Sequence, residues 1–220
     1  MDFEKARMNM VEQQIRPWDV LNPRVLAVIG EIPREIFAPE KYKKLAYVDT
    51  LIPLGKYQDH PCDMAKPVID GRILQELDIK SDDLILEIGT GSGYLTACLA
   101  KLGRHVDSVD INEEMTAMAE KNLQQLNLHN INLSTGDASK TWDQKRNYDV
   151  IVISAAMKSI PESYKKLLKP GGRLFVVTGD APAMTAHRVT RTGENQWQTE
   201  DLFETSIEPM IQTQISKFEF

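Results

Sequence analysis

From Asp83 onward the apolar positions follow two alternating rhythms. Residues 84–88 form a short apolar run bounded by acids and glycine, the pattern of a strand buried on both faces of a parallel sheet. Residues 94–102 repeat apolar side chains at helical spacing, and residues 106–111 predict the next strand. A helix is expected over 113–126, opening with acids that suit its positive end. Further strands are predicted at 131–135, 149–154 and 173–178, and a helix at 161–168 is stopped by Lys169-Pro170-Gly171-Gly172. Strands alternating with helices imply a mostly parallel sheet covered on both faces. Residues 187–220 read as β-rich and are expected to close the sheet with antiparallel strands.

The N-terminal third has the longer period. Helices are predicted over 3–15 and 23–32, separated by Arg16-Pro17-Trp18. Asn22 before Pro23 has the form of an N-cap followed by proline at the first helical position. Met8, Val11 and Ile15 are the apolar face of the first helix. Residues 49–67 read as loop, and 68–77 as another helix.

Bulk properties narrow the class. The chain has 220 residues, 42% hydrophobic and 26% charged, enough for one substantial α/β domain with an appendage. Its 32 acids outweigh 26 bases, giving a net charge of -6. Lys41, Lys43 and Lys44 form only a small cluster, so the basic surface that phosphate recognition requires is missing and nucleic acid is not an expected partner. No apolar run reaches the roughly 18 residues of a membrane span, and the first residues lack a signal-peptide pattern. The 2 cysteines, Cys62 and Cys98, have neither disulfide-framework nor metal-ligand spacing, and the 4 histidines are scattered. The expectation is a cytoplasmic protein without a metal, monomeric or homodimeric.

The chemistry-bearing pattern is Glu87-Ile88-Gly89-Thr90-Gly91-Ser92-Gly93-Tyr94, between a predicted strand and a predicted helix. Glycines there allow the backbone to turn sharply and approach a ligand closely. Tyr94 occupies the position where a dinucleotide fingerprint needs its third glycine, which disfavours NAD or FAD. Asp110, followed by Ile111, ends the second strand about 20 residues on, where an acid can hold ribose hydroxyls. Gly136-Asp137-Ala138 closes the third strand, where an acid and adjacent backbone can meet an adenine edge. All these acids lie at carboxyl ends of parallel strands, where open α/β sheets bind ligands.

These motifs, with Lys169-Pro170-Gly171-Gly172-Arg173-Leu174, resemble the ordered motifs of Rossmann-like class I methyltransferases. The best match is the protein-L-isoaspartate (D-aspartate) O-methyltransferase family. Upstream, Ile32-Pro33-Arg34-Glu35-Ile36-Phe37-Ala38-Pro39, Ala46-Tyr47-Val48-Asp49 and Ile52-Pro53-Leu54-Gly55 extend the similarity, which covers about residues 10–180. The resemblance implies a single methyltransferase domain over 1–220, with a helical N-terminal cap and substrate loop in 1–78 and a cofactor-binding core in 79–220. It implies S-adenosylmethionine as donor and S-adenosylhomocysteine as product. Glu87, Gly89, Thr90, Gly91, Ser92 and Gly93 would line the methionine part, Asp110 and Ile111 the ribose, and Gly136, Asp137 and Ala138 the adenine. The N-terminal helix would pack over the cofactor site.

One segment departs from the family. Where its members carry G-x-G-Q-T-I-S-Q-P, this chain reads residues 55–67 with a short insertion. Anchoring on Pro67 places Ala65 at the serine, so Gln58, Asp63 and Met64 become the candidate substrate-lining residues and no catalytic side chain is assigned. A carboxylate acceptor, with a pKa of about 4, is ionised at neutral pH and needs no general base. The implied acceptor is an isoaspartyl residue in a protein or peptide. A different acceptor, such as a small molecule, and a cofactor-binding protein without transfer are the alternatives that the missing hydroxyl leaves open.

Overall fold

The structure, a computed structural model, describes residues 1–142 and 146–211. Helix α1 (Phe3–Met10) is capped by Asp2, whose carboxylate accepts the Lys5 N–H at 3.0 Å. It runs into a π-helical turn at Val11–Ile15 and a 3-10 turn at Arg16–Trp18. The wider π turn rotates the buried face. Met10, Val11 and Ile15 therefore point inward, while Met8, expected on that face, is 62% exposed. Helix α2 (Pro23–Glu31) starts as the sequence predicts, with the Asn22 side chain accepting the Arg24 N–H at 2.9 Å.

The segment expected to be loop contains a hairpin, β1 (Ile52–Tyr57) and β2 (His60–Met64). Its tip is Gln58-Asp59, with φ of 47° and 67°, so both central residues adopt the left-handed conformation that matches strand twist in a two-residue turn. Helix α3 (Pro67–Glu76) follows directly.

The core then proceeds through β3 (Leu84–Ile88), α4 (Tyr94–Leu102), β4 (His105–Asp110), α5 (Glu113–Leu123) and β5 (Ile131–Thr135). After these come β6 (Tyr148–Met157), α6 (Glu162–Lys166), β7 (Leu168–Asp180), β8 (Ala183–Gly193) and β9 (Gln196–Thr205). The sheet order is β5-β4-β3-β6-β7-β8-β9. The first five strands in that order are parallel, and β8 and β9 extend the sheet antiparallel. This is the expected mostly parallel α/β architecture. Helix α6 is shorter than expected, because Leu168 already pairs with Tyr148 and Lys169–Gly172 are absorbed by a register shift in β7. The expected β-rich tail reaches Thr205 as regular strand, and residues 212–220 lie outside the described part.

Strand side chains alternate between two cores, as the period of 2 requires. Ile85, Val150, Val152, Phe175 and Val177 join one cluster, while Leu86, Ile88, Ile151, Ile153, Leu174 and Val176 join the other. Met10, Ile15, Ile29 and Leu74 belong to the first cluster, so the N-terminal elements share one core with the sheet. Among the described residues no helix is long and apolar enough to cross a membrane.

Candidate functional site

Strand β3 has β4 on one side and β6 on the other, so connections leaving its carboxyl end diverge and open a crevice. The glycine-rich turn sits at that point. Gly91 has φ of 53° and donates its N–H to Asp110 Oδ2 at 2.9 Å. Gly93 has φ of 88°, and a Cβ there would stand 3.1 Å from Ala119 Cβ, so α5 packs directly against the bare backbone. Asp110 also accepts the Asn112 N–H at 2.9 Å through Oδ1. Two backbone donors fix the carboxylate and leave acceptor sites for ligand hydroxyls. Burial raises its pKa, against the pull of those backbone donors. Asp137 similarly accepts the Ser139 N–H at 2.9 Å, closing the turn after β5.

A cavity of about 210 Å³ opens at this edge of the sheet. Its lining includes Gly89, Thr90, Gly91, Ser92, Asp110, Ile111, Gly136, Asp137 and Ala138, all expected from the sequence to hold cofactor. Asp63, Met64 and Ala65 of the hairpin and the turn after it belong to the same lining.

Three expected site residues are placed elsewhere. Gln58 is exposed at the hairpin tip, where the tight turn carries it off the cavity wall. Gly93 serves packing against α5. Glu87 is 0% exposed because β3 is covered on both faces, and it is not in the lining. Its Oε2 accepts hydrogen bonds from Thr96 Oγ1 at 2.5 Å and Ser108 Oγ at 2.7 Å. Ser108 Oγ is in turn 2.6 Å from Thr90 Oγ1, so Glu87 supports the glycine loop through a hydroxyl relay. Oε1 has no hydrogen-bond partner among the described residues. Burial pushes the Glu87 carboxyl up to about 8, with Asp70 and Asp110 adding to the rise and the two hydroxyls opposing it.

The N-terminal helix also differs from expectation. No residue before Leu51 lines the cavity, because the apolar face of that helix is occupied in the core with α2 and α3.

Three features were not read from the sequence. Ser154, just past the last residue of β6 that pairs with β3, has Oγ 2.9 Å from both Ile88 O and Gly89 O and ties β6 to the start of the loop. Residues 207–211 form a further wall, attached where Ala156 N–H donates to Glu208 O at 2.8 Å and Met210 N–H to Ala156 O at 2.7 Å. Arg34, 0% exposed, pairs with Asp70 at 2.5 Å, donates to the Ala65 carbonyl and lies 4.4 Å over the Tyr94 ring. It thereby fixes the backbone at Ala65. The run Ser154-Ala155-Ala156 was the available signal for the first two, since small residues at a strand's carboxyl end admit close backbone neighbours.

The protein-L-isoaspartate(D-aspartate) O-methyltransferase family model matches residues 5–214. The chain belongs to that family. It is 34% identical over 201 residues to the Petrotoga mobilis protein-L-isoaspartate O-methyltransferase, covering 91% of this chain and 92% of the relative. A solved protein-L-isoaspartate O-methyltransferase superposes with a TM-score of 0.80 at 21% identity, covering 92% of this chain and 65% of that one. A Plasmodium falciparum homologue assigned to the same enzymes, crystallised with S-adenosyl-L-homocysteine, gives a TM-score of 0.79 at 17% identity, covering 96% and 99%. The protein is accordingly an S-adenosylmethionine-dependent methyltransferase. The site suits that donor. At Gly91 a Cβ would meet only Leu54 Cδ1, at 3.8 Å, so bare backbone leaves room on the cavity side, and the fixed Asp110 carboxylate stands beside it.

Proposed function

We propose that this chain methylates the side-chain carboxylate of isoaspartyl residues in proteins or peptides. The observation that carries the reading is one continuous cavity whose lining joins the glycine loop, Asp110 and Asp137 to Asp63–Ala65. In this reading Asp110 holds the donor's ribose, Asp137 and Ala138 its adenine end, and Gly89–Ser92 its methionine end. Bound S-adenosylmethionine supplies an electrophilic methyl group on a sulfonium centre. The acceptor carboxylate is already ionised, so the protein's task is alignment and exclusion of water, not proton removal. Arg34 serves alignment by holding the Ala65 carbonyl, and the apolar side chains of Met64, Ile207 and Met210 restrict water.

Radiolabelled donor with an isoaspartyl peptide and its aspartyl control tests the reading. Label in the isoaspartyl peptide alone is expected. Donor binding by calorimetry without transfer to either peptide would refute it. One observation favours a second reading, a different and smaller acceptor: Ala65 lines the cavity, and residues 52–65 contain no serine or threonine to replace the lost hydroxyl.

A further inference from the structure

The turn that follows β5 is tied to its surroundings at nearly every residue. Gly136 N–H donates to Asp110 O at 2.9 Å, and Ser139 N–H donates to Asp137 Oδ1 at 2.9 Å. Trp142 lies so close to Gly136 that a Cβ on the glycine would stand 2.7 Å from its ring. Two side chains of α6 hold the rest. Ser163 Oγ donates to Lys140 O, and Tyr164 Oη donates to Ala138 O at 2.5 Å. Tyr164 is fully buried. Burial, with the Asp137 carboxylate adding to it, pushes the phenol well above its ordinary pKa, so it remains a hydrogen-bond donor. An apolar side chain would fill the same space in the core but could not hold the carbonyl.

The Ala138 carbonyl and the Ser139 N–H belong to one rigid peptide plane. Tyr164 grips that plane at the carbonyl and Asp137 grips it at the N–H. The clamp restricts the two backbone dihedrals of Ala138, and with them the direction of its own N–H. That N–H has no hydrogen bond among the described residues, although Ala138 is only 5% exposed and lines the cavity. A backbone donor so placed is costly unless an acceptor meets it. Ring nitrogen N1 of adenine is such an acceptor, since it carries a lone pair and no proton. We propose that Tyr164 is a positioning residue for the methyl donor's adenine ring: by holding the Ala138 carbonyl, its hydroxyl sets the unpaired Ala138 N–H to meet N1. This rests on the adenine assignment given above and not on the identity of the methyl acceptor.

S-adenosylhomocysteine and S-inosylhomocysteine differ only at this edge of the purine, where the second carries a proton on N1 and an oxygen in place of the amino group. Calorimetric titration of each into the wild type and Tyr164→Phe provides the test. The wild type should bind the adenosyl form about 10- to 100-fold more tightly, because the inosyl form turns a donor toward the Ala138 N–H. In Tyr164→Phe, which keeps the ring in the core, the adenosyl affinity should fall about 3- to 10-fold. The inosyl affinity should change little, so the ratio of the two narrows. That ratio is read within one protein and is insensitive to a loss of stability, whereas a phenol with a merely structural role would leave it unaltered. An unaltered ratio in Tyr164→Phe overturns the role given to Tyr164 and leaves the adenine assignment standing. Equal affinities in the wild type, or no binding of either molecule, overturn both the proposal and the assignment beneath it.

Discussion

Replacing Glu87 by glutamine should change how stability depends on pH. In the folded protein this carboxyl titrates at about 8, against an ordinary value of 4.5. The folded state therefore holds a proton across a window in which the unfolded chain has already lost it. The resulting contribution is complete below about pH 4.5 and is lost as pH rises toward about 8. Across that window the change amounts to as much as about 5 kcal/mol, a large share of a typical domain's stability. In Glu87→Gln the amide oxygen can accept the Thr96 and Ser108 hydroxyls, but the NH2 group falls at Oε1, which has no partner among the described residues. The protonated wild-type carboxyl likewise places its O–H at Oε1, so near pH 5 the two proteins carry a similar unsatisfied donor. The variant should be close to the wild type in stability at about pH 5 and more stable at about pH 9, where the wild type carries a buried charge. Urea unfolding followed by circular dichroism across this range measures both curves. A difference that stays constant across this range would refute the assignment of the slope to Glu87.

Other consequences are more local. Asp110→Ala should weaken donor binding about 10- to 100-fold by calorimetry, the range for losing a hydrogen bond to a charged group, and unchanged affinity would remove Asp110 from the donor site. Ala65→Ser should raise kcat/KM for an isoaspartyl peptide by a comparable factor, about 10- to 100-fold, with donor affinity unaltered. Should that substitution leave kcat/KM at the wild-type value, the hydroxyl is not what this wall lacks. Arg34→Met leaves Asp70 buried without its cation and should cost about 3–5 kcal/mol in unfolding experiments, whereas a loss below about 1 kcal/mol would contradict the buried pairing.

The parallel core was legible because its signals are local. Leu84–Ile88, Tyr94–Leu102 and Ile131–Thr135 have the predicted bounds, since a strand buried on both faces is uniformly apolar and a crossover helix keeps its period. The hairpin was not legible. Pro53, Gly55 and Pro61 interrupt it, and Ile52 and Met64 are its only buried positions, so no alternation is visible. Asp110 and Asp137, which line the cavity, were legible because each ends a predicted strand. Glu87 shares that strand-end position, but its seclusion depends on Thr96 and Ser108 from two other elements, which spacing along the chain does not encode. The wall at 207–211 depends on a long-range backbone pairing with Ala156 and carries no periodic pattern.

That pairing also sets an order of events during synthesis. The turn at Gly91 and the wall at Glu208 belong to opposite ends of the sheet-forming chain. At elongation rates of roughly 5–20 residues per second, about 6–23 seconds separate their appearance. Through that interval the growing polypeptide possesses its glycine turn but not the wall at 207–211 of the same cavity. A chain halted or clipped before Glu208 would be left in the same condition, with its hairpin and glycine turn in place and one side open.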